Sequence, residues 1–372
     1  MTTPNTQADE ILVDCQSVWK IFGEKAPAAM KAITEQGMSK RDVLQKFGCM
    51  VGVSGVSLQV RRGEIFCIMG LSGSGKSTLI RLLNRLIAPT QGRVLVKGKD
   101  LATLDAAALR DMRAHHIGMV FQSVALLPHR NVLENTAFGL EVQGVPKEER
   151  NRIAAGALEK VGLADWQHHY PDELSGGMQQ RVGLARAIAA DPEIILMDEP
   201  FSALDPLIRR QLQDEFRTLT KQLGKSAAFI THDLDEAIRI GDRIAIMKDG
   251  VLIQVGTAEE IVRNPADDYV AEFVAGISRL NLVKARSIMR PVEAFRAAQP
   301  DVSIESLPRA ASEADIAELI ALSTRTGLDA VVIMDDGVPV GIVSPRDLLQ
   351  GIRGDHDAPP AAGRGPTKEG SP

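Results

Sequence analysis

Residues 64–86 read EIFCIMGLSGSGKSTLIRLLNRL. The apolar run at 64–69 is typical of a buried parallel strand, and it leads through a glycine-rich turn into a helical stretch. Within it, residues 70–77 fit the phosphate-binding pattern G-x4-G-K-[ST], in the strand–turn–helix context that this pattern requires. The segment therefore predicts an α/β domain that binds a nucleotide.

The chemistry of this loop assigns a task to each residue type. Glycines let the backbone wrap a polyphosphate and point N–H groups at it, and the amino end of the following helix adds positive potential. Lys76 is expected to reach the β- and γ-phosphates, and Ser77 to ligate Mg²⁺. The predicted nucleotide-binding residues of the loop are Gly70, Ser72, Gly73, Ser74, Gly75, Lys76, Ser77 and Thr78.

A second apolar run ends in two carboxylates. Residues 194–199 read IILMDE, so a buried strand delivers acidic side chains to its carboxyl end, where ligands of parallel sheets bind. Asp198 is the expected metal ligand, and Glu199 is the expected general base for an attacking water. Without the phosphate-binding loop, the same residues would indicate only a solvated strand end.

Residues 174–181, LSGGMQQR, open a helix with bare amides at its start. Ser175 is a natural N-cap, and Gly176 and Gly177 leave their backbone N–H groups accessible. Taken by itself, this segment is usually no more than a helix cap. Together with the loop at 70–77, it suggests that ATP is bound from two sides, by the loop and by the start of this helix.

The rest of the first 280 residues alternates strands and helices, as expected for an α/β domain with a largely parallel sheet. A strand over 11–22 follows a flexible N-terminus at 1–10, and a hairpin turns at Asp249-Gly250. Residues 23–54 look like an insertion into the sheet, with a short helix that begins at Ser39. This insertion is either a surface decoration or a partner contact.

A smaller α+β unit is predicted over 284–352. It contains an amphipathic helix, a hairpin that turns at Asp336-Gly337 and a closing helix near Pro345. The region 353–372 is rich in glycine and proline, which predicts a disordered tail.

Composition excludes several classes of protein. With 4% aromatic residues and a net charge of −5, the composition is poor for stacking bases on aromatic platforms and gives no global positive field for nucleic acid, although local patches are left open. Three cysteines without metal spacing argue against a zinc site or a disulfide framework. No apolar run has the roughly 18 residues of a spanning helix, so we expect another chain to hold the protein at a membrane if it works there.

The order of these motifs resembles the ATP-binding subunit of an ABC transporter, over residues 11–279. The motifs are the loop at 70–77, LSGGMQQ, the carboxylate strand, SALD at 202–205 and a histidine at 232. The resemblance implies a P-loop ATPase with a mixed sheet and a helical subdomain. It also implies a head-to-tail homodimer, with two ATP molecules shared between the subunits.

The same resemblance assigns further site residues. Gln122 matches the glutamine that links metal and permease, and His232 matches the histidine that contacts the γ-phosphate. Asp205 matches an aspartate beside the shared nucleotide, and Phe22 the aromatic residue that stacks on adenine. Glu199, His232 and Gln122 thus form the expected catalytic set, and Ser77, Gln122 and Asp198 the expected Mg²⁺ ligands.

A narrower resemblance concerns the cargo. The insertion after KIFG, the run FSALDPLIR at 201–209 and HDLDEA at 232–237 resemble the ATPases of glycine betaine, proline betaine and choline importers. That family implies an integral membrane permease, a separate or fused substrate-binding protein, and a peripheral position on the cytoplasmic face of the inner membrane. An importer of another small solute, such as an amino acid, and a soluble ABC ATPase without transport remain the alternatives.

The second unit resembles a CBS domain through SIMRP at 287–291 and GIVSPRD at 341–347. The resemblance implies a regulatory unit in which Asp347 binds a ribose. The alternative is an appendage that stabilises a dimer and binds no ligand.

Overall fold

A computed structural model describes residues 10–122, 125–202, 204–298 and 303–353. The chain divides into two compact units, Met1–Ala258 and Glu259–Pro372. Almost all of the predicted flexible N-terminus and of the predicted disordered tail lies outside the described residues. In the ranges that are described, no helix is both long enough and apolar enough to cross a membrane.

Two sheets form the first unit. A six-stranded sheet has the order β10-β9-β3-β8-β7-β6, and a four-stranded antiparallel sheet has the order β2-β1-β4-β5. The strands are β1 (Ile11–Phe22), β2 (Met50–Arg61), β3 (Ile65–Met69), β4 (Gln91–Val96), β5 (Lys99–Asp100), β6 (Ile117–Val120), β7 (Ile194–Asp198), β8 (Ser226–Thr231), β9 (Arg243–Lys248) and β10 (Val251–Gly256).

The six-stranded sheet collects the predicted site residues at one edge. Strands β9, β3, β8, β7 and β6 run parallel, and β10 joins β9 as the predicted antiparallel hairpin. Parallel strands end at the same edge, so the phosphate-binding loop after β3, the carboxylates at the end of β7 and His232 after β8 share that edge. The prediction of a largely parallel sheet is confirmed for this sheet.

Helices cover the sheets and form a separate group around the LSGG segment. Those of the first unit are α1 (Ala26–Gln36), α2 (Lys40–Phe47), α3 (Lys76–Leu83), α4 (Ala106–His116), α5 (Val132–Thr136), α6 (Phe138–Val142), α7 (Lys147–Lys160), α8 (Gly176–Ala189), α9 (Pro206–Gln222) and α10 (Leu234–Ile240). Short 3₁₀ helices lie at Ala164–Trp166 and Pro171–Glu173.

The main core lies around α3. Leu79, Ile80, Leu82 and Leu83 are fully buried against apolar side chains of both sheets. The helix that opens the nucleotide site is therefore anchored by its whole apolar face, which fixes the position of the loop before it.

The insertion is a helical hairpin with a small core of its own. The predicted helix start is confirmed, because the Ser39 hydroxyl accepts a hydrogen bond from Asp42 N at 3.2 Å. The two helices cover residues 26–47, which is less than the predicted insertion of 23–54. Strand β2 already begins at Met50, which pairs with Phe22. Ile21, Met30, Val43 and Cys49 are buried in the cluster that joins this hairpin to β1.

The second unit begins earlier than the sequence suggests. Residues 259–279 were expected in the ATPase domain, but they belong to the unit that continues to the end of the chain. Two hydrogen bonds illustrate this: Arg279 donates to Val262 O at 3.0 Å, and Lys284 N donates to Glu259 Oε1 at 3.0 Å.

The elements of the second unit match much of the prediction. They are α11 (Ala258–Arg263), α12 (Asp268–Val274), α13 (Ala285–Ile288), α14 (Val292–Ala298), β11 (Arg309–Ala311), α15 (Ile316–Thr326), β12 (Val331–Asp335), β13 (Val338–Val343) and α16 (Pro345–Arg353), with 3₁₀ turns at Arg279–Asn281 and Ile304–Ser306. The amphipathic helix, the hairpin and the closing helix are confirmed. Strand β11, which pairs parallel with β12, was not predicted.

Candidate functional site

The phosphate-binding loop is packed tightly against two strands, β2 and β9. Gly75 has φ 98°, and a Cβ atom there would lie 2.3 Å from Gly52 O. At Gly70, with φ 151°, a Cβ atom would lie 2.2 Å from Met247 O. The loop thus requires glycine at both positions, because no side chain fits between the loop and its neighbours.

Lys76 is folded back over this loop. It is 5% exposed, and its ammonium group donates to Gly70 O at 2.7 Å and to Leu71 O at 3.1 Å. Burial lowers the pKa of Lys76, and the nearby carboxylates of Glu199 and Asp198 oppose that shift. The positive charge is therefore held at the loop, where the predicted phosphates would bind.

Asp198 closes the other side of the site. It is 5% exposed, accepts a hydrogen bond from Ser77 Oγ at 3.1 Å, and lies 3.7 Å from the guanidinium group of Arg81. Burial raises the pKa of Asp198. A hydroxyl oxygen beside a carboxylate oxygen is a donor pair that suits Mg²⁺, which takes few protein ligands and completes its shell with phosphates and water.

The three predicted catalytic side chains come together. Gln122 Nε2 donates to Glu199 Oε2 at 3.4 Å, and His232 Nδ1 lies 3.4 Å from the same oxygen. Glu199 has φ 46°, an uncommon backbone conformation for a residue other than glycine and one that is found at functional sites. The carboxylate therefore has a strained backbone and faces two polar side chains at the open edge of the sheet.

Phe22 lies beside the start of α3, although the insertion separates the two in sequence. A Cβ atom at Gly52 would be 2.8 Å from Phe22 Cε2 and 3.5 Å from Thr78 Cγ2, so the ring and Thr78 lie on the same side of β2. The Lys20 ammonium group lies 5.2 Å from the ring centroid. The structure thus places an aromatic face next to the phosphate-binding loop.

The LSGG residues form a second site on the same unit. Ser175 caps α8 by accepting from Met178 N at 3.4 Å, and Gly176 is exposed. They line a groove of about 540 Å³ together with Asp205, which caps α9. Of the described residues that line this groove, none belongs to the phosphate-binding loop.

Arg81 is a site residue that the sequence analysis missed. It lies four positions after Ser77 on α3, so the two side chains share a helix face, and both approach Asp198. The four-residue spacing between Ser77 and Arg81 is visible in the sequence and could have identified Arg81 as a site residue.

Comparison with known proteins agrees with this geometry. A family described as "ABC transporter" matches residues 53–202. The glycine betaine/proline betaine transport system ATP-binding protein ProV of Escherichia coli is 56% identical over 280 residues, which cover 75% of this chain and 70% of ProV. The chain belongs to the ABC transporter ATP-binding proteins. This ABC ATPase therefore binds ATP, and it hydrolyses ATP as part of a transport system.

Other relatives cover more of this ABC ATPase. The trimethylamine N-oxide transport system ATP-binding protein TmoW of Pelagibacter ubique is 42% identical over 92% of this chain and 97% of its own length. Among solved structures, the ATP-binding cassette MJ0796, described as a dimer bound to ADP and Pi, is 32% identical with a TM-score of 0.56, over 66% of this chain and 98% of its own.

Proposed function

We propose that this chain is the ATP-hydrolysing subunit of an importer of quaternary amines such as glycine betaine, proline betaine or choline. The observation that carries the proposal is the identity to relatives whose names specify these solutes. Besides the protein from E. coli, the glycine betaine transport ATP-binding protein OpuAA of Bacillus subtilis is 52% identical over 77% of this chain.

The composition of the chain does not favour a site that recognises such a cargo. Quaternary ammonium ions are usually held by aromatic cages, and only 4% of the residues are aromatic. We therefore expect a membrane permease and a separate or fused binding protein to recognise the quaternary amine. On this proposal the chain is a peripheral subunit at the cytoplasmic face of the inner membrane.

Trimethylamine N-oxide is a second candidate cargo. The relatives named for it, from Pelagibacter ubique and Ruegeria pomeroyi, align with 92% and 91% of this chain, and the ProV protein of Salmonella typhimurium, named for glycine betaine and proline betaine, also aligns with 92%. Their alignment extends into the second unit. Both cargoes carry a methylated, fully substituted nitrogen, so one permease chemistry could accept either.

Uptake assays decide between these cargoes. The chain would be expressed with the permease and the binding protein of a betaine importer, in a host that lacks betaine uptake. Radiolabelled glycine betaine, choline, trimethylamine N-oxide and glutamine would then be offered, with Glu199→Gln as the ATPase-deficient control. We expect uptake of a methylated amine that depends on Glu199; uptake of glutamine alone would replace the proposed cargo by an amino acid.

We propose the following tasks within the ATP site. Backbone N–H groups of the loop and the Lys76 ammonium group hold the phosphates, while Phe22 stacks on the adenine. Ser77, Asp198 and Gln122 would hold Mg²⁺, which when bound supplies charge neutralisation at the β- and γ-phosphates. Glu199 accepts the proton of the attacking water, and His232 donates to the γ-phosphate.

The groove at Ser175 and Asp205 suggests how the site is completed. We propose that a second copy of the chain presents this groove to the phosphate-binding loop, so that Ser175, Gly176 and Gly177 offer their amides to the same ATP. A Ser175→Arg chain mixed with a Lys76→Ala chain then has one interface with both defects and one with neither. ATP hydrolysis above that of either variant alone is expected, and its absence in proven heterodimers would contradict a site that works singly.

We also propose that residues 284–352 regulate the ATPase as a CBS-like unit. The geometry at Asp347 limits this proposal: the residue is 4% exposed, Arg290 Nε donates to it at 2.6 Å, and Ser344 N and Oγ donate at 2.9 and 2.6 Å. A ribose would have to displace one of these groups, so pairing between two copies, with a response to ionic strength, fits better than a preformed nucleotide site.

Truncation tests this regulatory role. Because residues 259–283 belong to the second unit, chains ending at 258 and at 283 should be compared with the full chain. We expect both to hydrolyse ATP, and the reconstituted transporter to lose part of its response to salt. Identical salt curves for all three chains would make the second unit an appendage without a regulatory role.

A further inference from the structure

One arginine connects the segment after Glu199 to the turn that carries His232. Arg209, in the first turns of α9, donates from Nη2 to Leu204 O at 2.9 Å and to Ser202 O at 3.5 Å. Its Nη1 lies 3.5 Å from Asp233 Oδ2. The guanidinium group thus spans two segments that are far apart in sequence, as its planar set of donors allows.

The contacts of Arg209 lead to Glu199 on one side and to His232 on the other, which are two of the proposed catalytic residues. On one side, Ser202 donates from N at 3.3 Å and from Oγ at 3.1 Å to Glu199 O. Ser202, whose carbonyl accepts from Arg209, is therefore part of the same turn as Glu199, and Leu204 lies two residues beyond it.

On the other side, Asp233 directly follows His232 and is itself fixed. Its backbone N donates to Thr231 Oγ1 at 2.9 Å, and its Oδ1 accepts from Glu236 N at 3.2 Å as the cap of α10. The Thr231 hydroxyl and Gln213 both donate to the buried carboxylate of Glu236. The turn is thus fixed by several hydrogen bonds, and Arg209 adds a side-chain connection to the Glu199 segment, beside the backbone bond from Glu199 N to Ile230 O at 3.2 Å.

One donor of the Arg209 side chain takes no part in these contacts. Its Nε is buried and has no hydrogen-bond partner among the described residues, and an unmet buried donor costs free energy. An unpaired buried polar group in a native protein calls for an explanation, and a functional constraint is one of the recognised ones.

We propose that Arg209 is a positioning residue for ATP hydrolysis, which sets the separation between Glu199 and His232 by holding both segments. It acts through these two residues and touches no substrate. The inference rests on ATP hydrolysis by this chain and is independent of the proposed cargo, because the test below contains neither permease nor cargo.

The first test compares Arg209→Met with Arg210→Met, a control at the exposed neighbour on the same helix. Basal Mg-ATP hydrolysis of the full-length chain is measured. We expect kcat to fall about 10- to 100-fold for Arg209→Met, as displacements of about 1 Å do, while KM for ATP and the Tm stay close to those of the control. A kcat within twofold of the control would overturn the proposal.

The second test separates positioning from loss of fold. Arg209→Lys should recover part of kcat, and Asp233→Asn should lower kcat without adding to the loss in Arg209→Met when the two are combined. Hydrogen exchange, which needs no turnover, should show faster exchange of the backbone amides of Asp233 and Glu236 in Arg209→Met. Full additivity of the two kcat losses, or unchanged exchange at this turn, would contradict a shared link.

Discussion

The two ends of strand β7 carry carboxylates in opposite environments. Just before the strand, the carboxylate of Glu193 contacts the Arg62 guanidinium group at 2.7 Å, His116 Nδ1 at 2.9 Å and the Lys97 ammonium group. At the other end, Asp198 accepts one hydrogen bond from Ser77, and its ion pair with Arg81 spans 3.7 Å. Only a few residues of fully buried strand separate these two carboxylates.

Their titration differs accordingly. Partial burial opposes ionisation of Glu193, but hydrogen bonds from Lys97, Arg62 and His116 lower its pKa to about 2. At Asp198 burial dominates and raises the pKa. A carboxylate that is surrounded by cationic neighbours stabilises the fold, whereas a carboxylate with few cationic neighbours is available to a ligand. The first end of the strand therefore serves stability and the second serves chemistry.

The largest effect is expected at the second end, for Glu199→Gln. An amide has the shape of the carboxylate but cannot accept the proton of the attacking water, so we expect hydrolysis to fall by about 10²- to 10⁴-fold. ATP binding should persist, because the phosphate-binding loop is untouched. Steady-state hydrolysis and equilibrium binding of a fluorescent ATP analogue measure the two effects. Wild-type turnover in this variant would remove Glu199 from the role of general base.

The contrast between the two ends also shows what local sequence patterns can predict. Each predicted catalytic residue follows a strand, so the parallel order of the sheet brings Gln122, Glu199 and His232 to one edge. That placement follows from strand patterns and motifs alone. The positions of Asp198 and Ser77 follow from the same logic.

The rest depends on contacts between distant segments. Arg62, Lys97 and Glu193 come from separate parts of the chain, and no spacing links them. The contact of Arg209 with Asp233 is of the same kind. Strand β5 has two residues and β11 has three, so neither carries a period that a pattern could detect. The start of β2 at Met50 was missed because pairing with Phe22, rather than composition, extends the strand.

A smaller effect, on stability, is expected at the first end for Glu193→Gln. The lowered pKa corresponds to about 3 kcal/mol as an upper bound, and we expect ~1–2 kcal/mol at pH 7 because Arg62 and Lys97 are each about one-third exposed. Since the folded pKa is depressed, this stabilisation is present above the unfolded pKa and is lost as the pH falls toward 2.

Urea unfolding of Glu193→Gln from pH 7 to pH 3 measures this difference, with the exposed Glu24→Gln as a matched control. The deficit should be constant near neutral pH and shrink in acid, while ATP hydrolysis remains within about twofold of wild type. A deficit that stayed unchanged at pH 3 would show that packing, and not charge, stabilises this end of β7.

The smallest effect has the opposite sign and belongs to Asp198→Asn without nucleotide. Because the folded pKa of Asp198 is raised, the wild-type carboxylate costs stability once the pH exceeds that pKa, and the amide avoids this cost while still accepting from Ser77. We expect the free energy of unfolding of the variant to be about 0.5–1 kcal/mol higher than that of the wild type at pH 7, a gain typical of relieved functional sites, and we expect no gain below pH 4.

Saturating Mg-ATP should reverse the order of stability of Asp198→Asn and the wild type. At 100 times its dissociation constant, Mg-ATP adds about 2.7 kcal/mol to the stability of the wild type, and it adds less to a variant that lacks the proposed metal ligand. Thermal unfolding with and without Mg-ATP, with exposed Asp165→Asn as the control, measures both effects. A variant that is less stable than wild type in the absence of nucleotide would show that this carboxylate, like Glu193, stabilises the fold, and the contrast between the two ends of β7 would then fail.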